Sequence, residues 1–382
     1  MMPKSIVFII TNNLSLENDG VSDYSVNLYH ELTHKNFNPK LISLKKLQET
    51  SFYINQDIID LNIDNWNFNG CFQLLKTIRK YKPSWLFVQY VPYSFSKTGL
   101  PFTFTFILIL SRLFGTKILV NFHEIGIRFT NNGIISIPRA FLQRVISYLL
   151  CCSSNSILTS NVYYAKMLLP FKSKIIPIPS NFENLLNKTL VELKQKKYPI
   201  IITTSANRSN ESFFKIISQL HLNYVNDFVV NITGRADKND LTRIDMLTTK
   251  YNLQKCIKYH VNLPDNEYCL ALANTHYFVN IEFVSNKGEG GVSTKSGVIA
   301  SAMALGLPII STCGDLTDLN IFKHNENIFF VPFNNPILAA AEIQNLINNI
   351  PLRNNLIKHS KLTYYSKMQW SESIKFYSDI LS

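Results

Sequence analysis

Short runs of consecutive apolar residues alternate along this chain with longer segments whose apolar positions recur at helical spacing, the pattern of strand-helix units in a mostly parallel sheet. Ser5-Ile-Val-Phe-Ile-Ile10 predicts a first buried strand, a polar loop runs over 11–20, and 21–32 reads as a helix. A strand at 40–44, a helix at 71–80, a strand at 85–90, a helix ahead of Gly115, a strand at 117–122, a helix at 138–152 and a short strand at 156–159 continue the alternation. The prolines of Ile175-Ile-Pro-Ile-Pro-Ser-Asn181 and the polar run 184–197 then mark an interdomain connection. Beyond it a second set opens: strands at 199–204, 228–233, 257–260, 277–281 and 308–311, with helices at 211–220, 240–251, 265–273 and 297–305 between them.

With 382 residues the chain is too long for one ordinary core. The pattern therefore predicts an α/β protein of two doubly wound, Rossmann-like domains facing each other across a cleft, bounded at 1–178 and 179–363. A ligand cleft at the carboxyl ends of the strands suits an enzyme with two substrates.

Composition changes this picture in three places. None of the six cysteines forms a C-x-x-C pair or sits at zinc-ligand spacing with a histidine, so buried thiols in a reducing compartment are expected. The apolar start at 5–10 is too short for a signal segment, which predicts no export and a cytoplasmic protein. The run 100–110 is about half the roughly 20 residues of a spanning helix and reads as a buried helix in preference to a membrane-apposed one.

Charge is uneven. Residues 1–180 hold 18 Lys and Arg against 9 Asp and Glu, residues 181–382 hold 20 against 17, and within 65–182 there are 13 basic residues and a single acidic one, Glu124. That potential suits an anionic membrane surface or a lipid-linked phosphate, or it is a solvated basic face. No nucleic-acid motif is present, and a nucleic-acid partner is not expected.

Candidate chemistry clusters at strand ends. The loop carrying Gly20 lies between a strand and a helix, where free N–H groups favour an anion, but it lacks the G-x-G-x-x-G pattern. His123 and Glu124 follow directly on a predicted strand. Thr203-Thr-Ser-Ala-Asn-Arg-Ser209 places Asn207 and Arg208 after another, and a guanidinium there can grip a phosphate with two parallel bonds. Gly234-Arg235 repeats that position, with Arg235 read as a surface charge. The densest segment is Asn286-Lys-Gly-Glu-Gly-Gly-Val-Ser-Thr-Lys-Ser-Gly297, whose glycines, hydroxyls and lysines precede a helix and together suit a diphosphate. It does not match G-x-x-x-x-G-K-[ST], which disfavours a P-loop NTPase.

In this order, Gly20-Val-Ser-Asp-Tyr24, His123-Glu124, the Arg208 turn, the strand ending in Gly234 and Ala302-Met-Ala-Leu-Gly-Leu-Pro308 resemble glycosyltransferases of the GT-B fold, most closely the retaining family 4. The resemblance implies a C-terminal domain that binds a nucleotide-diphosphate sugar, an N-terminal domain that binds a glycan or lipid-linked acceptor, and a last helix, 364–381, that packs back on the first domain. It implies polysaccharide, lipopolysaccharide or glycolipid synthesis at the inner membrane face, transfer with retention, and no obligatory metal or cofactor. His123, Glu124, Arg208 and Lys295 would stand nearest the chemistry. The donor would lie on Gly20, Asn207, Gly234, Glu289, Gly291, Ser293, Thr294, Ser296, Gly297 and Ser301. One departure stands out: where the family carries two glutamates eight residues apart, this chain has Ser293 and Ser301, with Glu282 and Glu289 out of register. A nucleotide-sugar epimerase of similar fold and a non-catalytic, membrane-docking subunit are the rival readings.

Overall fold

Uninterrupted apolar strands are what a parallel sheet covered on both faces requires, and the chain forms two such sheets. In the computed structural model the described residues are 5–11, 14, 20–44, 57–63, 65–129, 136–188, 200–223 and 228–382. The chain divides into two units, Met1–Ile176 with Ser373–Ser382, and Pro177–Glu372.

The first unit runs β1 (Ile6–Ile10), α1 (Gly20–His34), β2 (Asn38–Ser43), β3 (Ile58–Asp60), α2 (Phe68–Tyr81), β4 (Trp85–Tyr90), α3 (Pro92–Phe95), α4 (Phe102–Ser111), β5 (Lys117–Phe122), α5 (Ile137–Ser153), β6 (Ser156–Thr159), α6 (Val162–Met167) and β7 (Lys174–Ile175). Its parallel sheet has the order β3-β2-β1-β4-β5-β6-β7. The core joins β1, β4 and β5 to α2, α4 and α5 through Phe8, Leu74, Val88, Phe104, Leu108, Val120 and Ile146.

The second unit runs α7 (Glu183–Lys188), β8 (Ile200–Ser205), α8 (Glu211–Asn223), β9 (Phe228–Gly234), α9 (Lys238–Lys250), β10 (Ile257–Val261), α10 (Asp265–Ala273), β11 (Tyr277–Asn280), α11 (Gly297–Leu305), β12 (Ile309–Ser311), β13 (Phe329–Phe330), α12 (Pro336–Asn348) and α13 (Ile350–Thr363). Its sheet has the order β10-β9-β8-β11-β12-β13, again all parallel. Ser296 caps α11, accepting from the Ile299 N–H, and Gly306 ends it in the left-handed region at φ +69°.

Several elements differ from the sequence reading. The break between units falls after Ile176 where 178 was expected. Strands β3, β7 and β13 and helices α12 and α13 were not anticipated. The polar run 184–197 opens as helix α7, and its remainder lies outside the described residues. The expected single helix 364–381 is broken: a π-turn spans Tyr364–Met368, Gln369 is extended, and α14 (Trp370–Leu381) follows. The π-turn stays with the second unit because the Tyr364 hydroxyl donates to Glu183 Oε2, while the Trp370 indole donates to the Ser180 carbonyl at 3.0 Å. Four of the cysteines are buried as expected, but Cys152 and Cys313 are exposed.

Candidate functional site

In the second sheet β8 has β9 on one side and β11 on the other, so the strand order reverses there, and outside the carboxyl ends of such strands an α/β sheet receives its ligand. The end of β8 turns through Ala206–Arg208. Arg243, from α9, clamps this turn: Nη1 donates to the Ser209 carbonyl at 2.5 Å and Nη2 to the Ala206 carbonyl at 3.1 Å. Arg208 thereby projects from a fixed backbone. Its Nε donates to Glu282 Oε1 at 2.8 Å, and that same oxygen accepts from Asn280 Nδ2 at 3.1 Å. Beyond β11, the Asn210 amide donates to the Ile281 carbonyl at 2.6 Å, tying the two strand ends together.

Gly234 ends β9 at φ +92°, and Asn207 is exposed on the turn beside it, with its Oδ1 accepting from Ser205 Oγ at 2.9 Å. The glycine-rich segment folds against the loop after β12. Gly290 N–H donates to Asp315 Oδ1 at 2.8 Å, Gly291 N–H to the Phe283 carbonyl at 3.0 Å, and the Leu316 N–H to the Gly290 carbonyl at 3.0 Å. A Cβ at Gly291 would stand 2.3 Å from the Gly314 nitrogen, so the approach of these two backbones depends on glycine.

The N–H groups from Gly288 to Val292 donate to Ser285, Asp315, Phe283 and Thr312, so within the fold they are engaged in packing the segment. At the start of α11, Gly297 and Val298 carry leading N–H groups that have no partner inside the helix. Around that start, Ser293 and Lys295 are half-buried, Thr294 is buried, and the Ser293 hydroxyl accepts from the Lys295 N–H at 3.3 Å. Ser296 is committed to the cap. Ser301, expected on the donor side, is buried, donates to the Gly297 carbonyl at 2.9 Å and lies 2.7 Å from Ser180 Oγ. Glu289 is half-buried, 3.4 Å from the Ser285 hydroxyl.

The first sheet closes differently. His123, directly after β5, is buried, and its Nε2 donates to Gln89 Oε1 at 2.8 Å, an oxygen that also accepts from Asn121 Nδ2 at 3.2 Å. The Tyr24 ring lies edge-on to His123 at 5.2 Å, and its hydroxyl pairs with that of Tyr377 from α14. Burial pushes both tyrosines above their ordinary pKa, so they stay neutral hydroxyls. Glu124 is half-buried, with its N–H on the Tyr90 carbonyl at 3.3 Å. Gly20 is the exposed first residue of α1 with open space where a Cβ would be, so no packing demands glycine there, and most of the loop preceding it lies outside the described residues.

Arg208, Gly234, Gly291, Lys295 and Gly297 all lie in segments at or after the ends of strands β8, β9 and β11 of the second sheet, and the sequence reading missed the partners that fix them. Glu282 was noticed only as out of register; Arg243, Asp315, Gln89 and Tyr377 carried no local signal. Among the described residues no three His, Cys, Asp or Glu side chains come together as a metal-holding group.

Residues 188–363 match the family described as Glycosyl transferases group 1. No curated protein matches the chain. Solved structures similar along nearly its whole length include a glycosyltransferase of Rickettsia africae (14% identity, TM-score 0.69, 99% of this chain and 98% of that one). Sucrose-phosphate synthase of Thermosynechococcus elongatus is similar at 12% identity and TM-score 0.72, over 99% of this chain and 98% of that one. HepE of Anabaena, in complex with UDP-glucose, follows at 11% identity and TM-score 0.68, over 99% of each chain. The likeness to that family therefore lies in residues 188–363, in a chain whose fold throughout is the GT-B fold of glycosyltransferases.

Proposed function

We propose that the protein transfers a hexosyl unit from a nucleoside-diphosphate sugar to a hydroxyl of a glycan or lipid-linked acceptor, with retention, in cell-surface polysaccharide or glycolipid assembly on the cytoplasmic side. The observation that carries this reading is Arg208, held on a clamped turn at the strand reversal of the second sheet and paired with Glu282. In the transfer the bond from the anomeric carbon to the β-phosphate oxygen breaks and the acceptor oxygen bonds to that carbon. The acceptor's proton passes to the departing phosphate oxygen. Charge grows on the diphosphate, and Arg208, Lys295 and the first N–H groups of α11 are the groups to meet it. The cations needed are side chains, so no metal or cofactor is assigned. Asn207, Gly234, Ser293 and Thr294 complete the donor side, and Ser296 and Gly297 shape the helix start. His123 and Glu124, in the first unit, are assigned to sugar and acceptor hydroxyls.

The test is a thermal-shift panel of UDP, GDP, ADP, CMP and their sugar conjugates. A nucleotide at one hundred times its Kd adds about 2.7 kcal/mol of stability. Uridine is the first base to try, because HepE, of the same fold, was crystallised with UDP-glucose. A selective shift, followed by nucleotide release that depends on added acceptor, supports the reading. Donor turnover without acceptor indicates an epimerase. A second reading, a non-catalytic subunit, is favoured by the serines at 293 and 301, since Ser301 has its hydroxyl committed inside the fold. No shift with any nucleotide would sink the transferase in its favour.

A further inference from the structure

No helix among the described residues is long and apolar enough to cross a membrane, yet three neighbouring helices of the first unit, α2, α4 and α5, expose large apolar side chains along one stripe each. On α4 the buried side carries Phe104, Ile107 and Leu108, while Phe102 and Phe106, one turn apart, are exposed. The stripe continues through half-buried Leu110 to Leu113, which is 79% exposed. The expectation of a simply buried helix here is therefore only half met. On α2, Phe68 and Phe72 stack in parallel at 6.4 Å, with Phe68 69% exposed, and Lys76 Nζ stands 4.8 Å over the Phe72 ring. Phe141 is exposed on α5.

Cations accompany the rings. Lys76, Arg79 and Lys80 are exposed along the last turns of α2, and the stretch 65–182 offers one carboxylate to thirteen basic residues. We infer that the α2–α4–α5 face is a docking surface for an anionic lipid bilayer, with Phe68, Phe72, Phe106 and Leu113 entering the interfacial layer and the α2 cations meeting the headgroups. Large apolar side chains exposed on three neighbouring helices are the kind of surface that marks an interaction site. Aromatic residues on one side with Lys and Arg beside them are the composition of an interfacial helix. A second copy of the chain would set this positive face against itself. A protein partner is disfavoured because the cores of such interfaces are poor in lysine. The inference does not depend on the donor site, so either can fail alone.

The experiment is flotation of the full-length protein with phosphatidylcholine vesicles, with and without phosphatidylglycerol, at low and high salt. Binding to the anionic vesicles, weakened by salt and absent from neutral ones, is expected. The triple variant Lys76→Ala/Arg79→Ala/Lys80→Ala should lower the partition coefficient by a factor on the order of 100, since each basic residue near an anionic surface contributes about a factor of five. Phe106→Ser with Leu113→Ser should lower it by at least about tenfold. These positions are exposed, so thermal unfolding midpoints and nucleotide shifts should stay as in the parent protein, which separates docking from misfolding. Equal binding to neutral and anionic vesicles, no binding to either, or a parent dimer that Phe106→Ser converts to monomer without any vesicle binding would each overturn the proposal.

Discussion

In the first unit β4 and β5 end in Gln89, Asn121 and His123, packed beneath Tyr24, with the Tyr377 hydroxyl closing the cluster from the chain's last helix. In the second, β8 and β11 end in the Arg208–Glu282 pair, beside a glycine turn and the start of a nine-residue helix. Both sheets share the same strand order through their first six strands. The topology therefore fixes where a ligand goes, and the side chains at the strand ends decide what charge it carries. A rim of amides and hydroxyls suits hydroxyl groups; a guanidinium on a clamped turn with a helix N-terminus suits a diphosphate.

The largest effect is expected from the substitution that strikes this contrast directly. Arg208→Ala should lower kcat by a factor on the order of 100 or more and abolish the nucleotide thermal shift. His123→Ala, in the other unit, should lower kcat while leaving the shift intact. A loss below threefold for Arg208→Ala would remove it from the chemistry, and a vanished shift in His123→Ala would erase the division of labour between the rims.

Gly291→Ala tests whether the glycine turn serves shape, as its bonding indicates. The added Cβ would fall 2.3 Å from the Gly314 nitrogen at φ +82°, a conflict worth about 1–3 kcal/mol. A lowered unfolding midpoint, with nucleotide affinity falling in parallel, is expected. An unchanged midpoint with lost affinity would return the turn to the role of a phosphate cradle.

The sequence made part of this contrast visible. Central strands such as β1, β4, β8 and β11 are buried on both faces and read as apolar runs, while β7 and β13, of two residues each, carry no pattern to read. Arg208 and Gly234 stood out because each follows a strand within its own segment. Asp315 holds Gly290 across 25 residues, and Tyr377 meets Tyr24 across 353, so neither pairing has a local signature. The contact between Ser301 and Ser180 was invisible for the same reason, since 121 residues separate the two.

Tyr377→Phe probes that long-range closure. Losing one hydroxyl of a buried pair costs about 1 kcal/mol, and the double variant with Tyr24→Phe should cost less than the two singles together, because removing both partners leaves no mismatched group. Additive losses in thermal unfolding would show that the pair does not act as a unit.

The smallest effect separates the two surfaces by pH. The stretch 65–182 has one carboxylate for its cations, whereas in the second unit Glu211 serves Lys250 at 2.8 Å, Lys215 at 3.5 Å and the Tyr251 hydroxyl at 2.8 Å. The hydrogen bond from Lys250, then that from Tyr251, holds the Glu211 carboxyl down at about 2. A carboxylate whose folded pKa lies below its unfolded value near 4.3 adds stability that is fully present above that value and is lost as pH falls toward 2. Glu211→Gln should therefore lower the unfolding midpoint slightly at neutral pH and leave it unchanged near pH 2. Because the group is exposed, salt should shrink the difference. A gap between parent and variant that persists at low pH would mean that the side chain acts through packing and not through its charge.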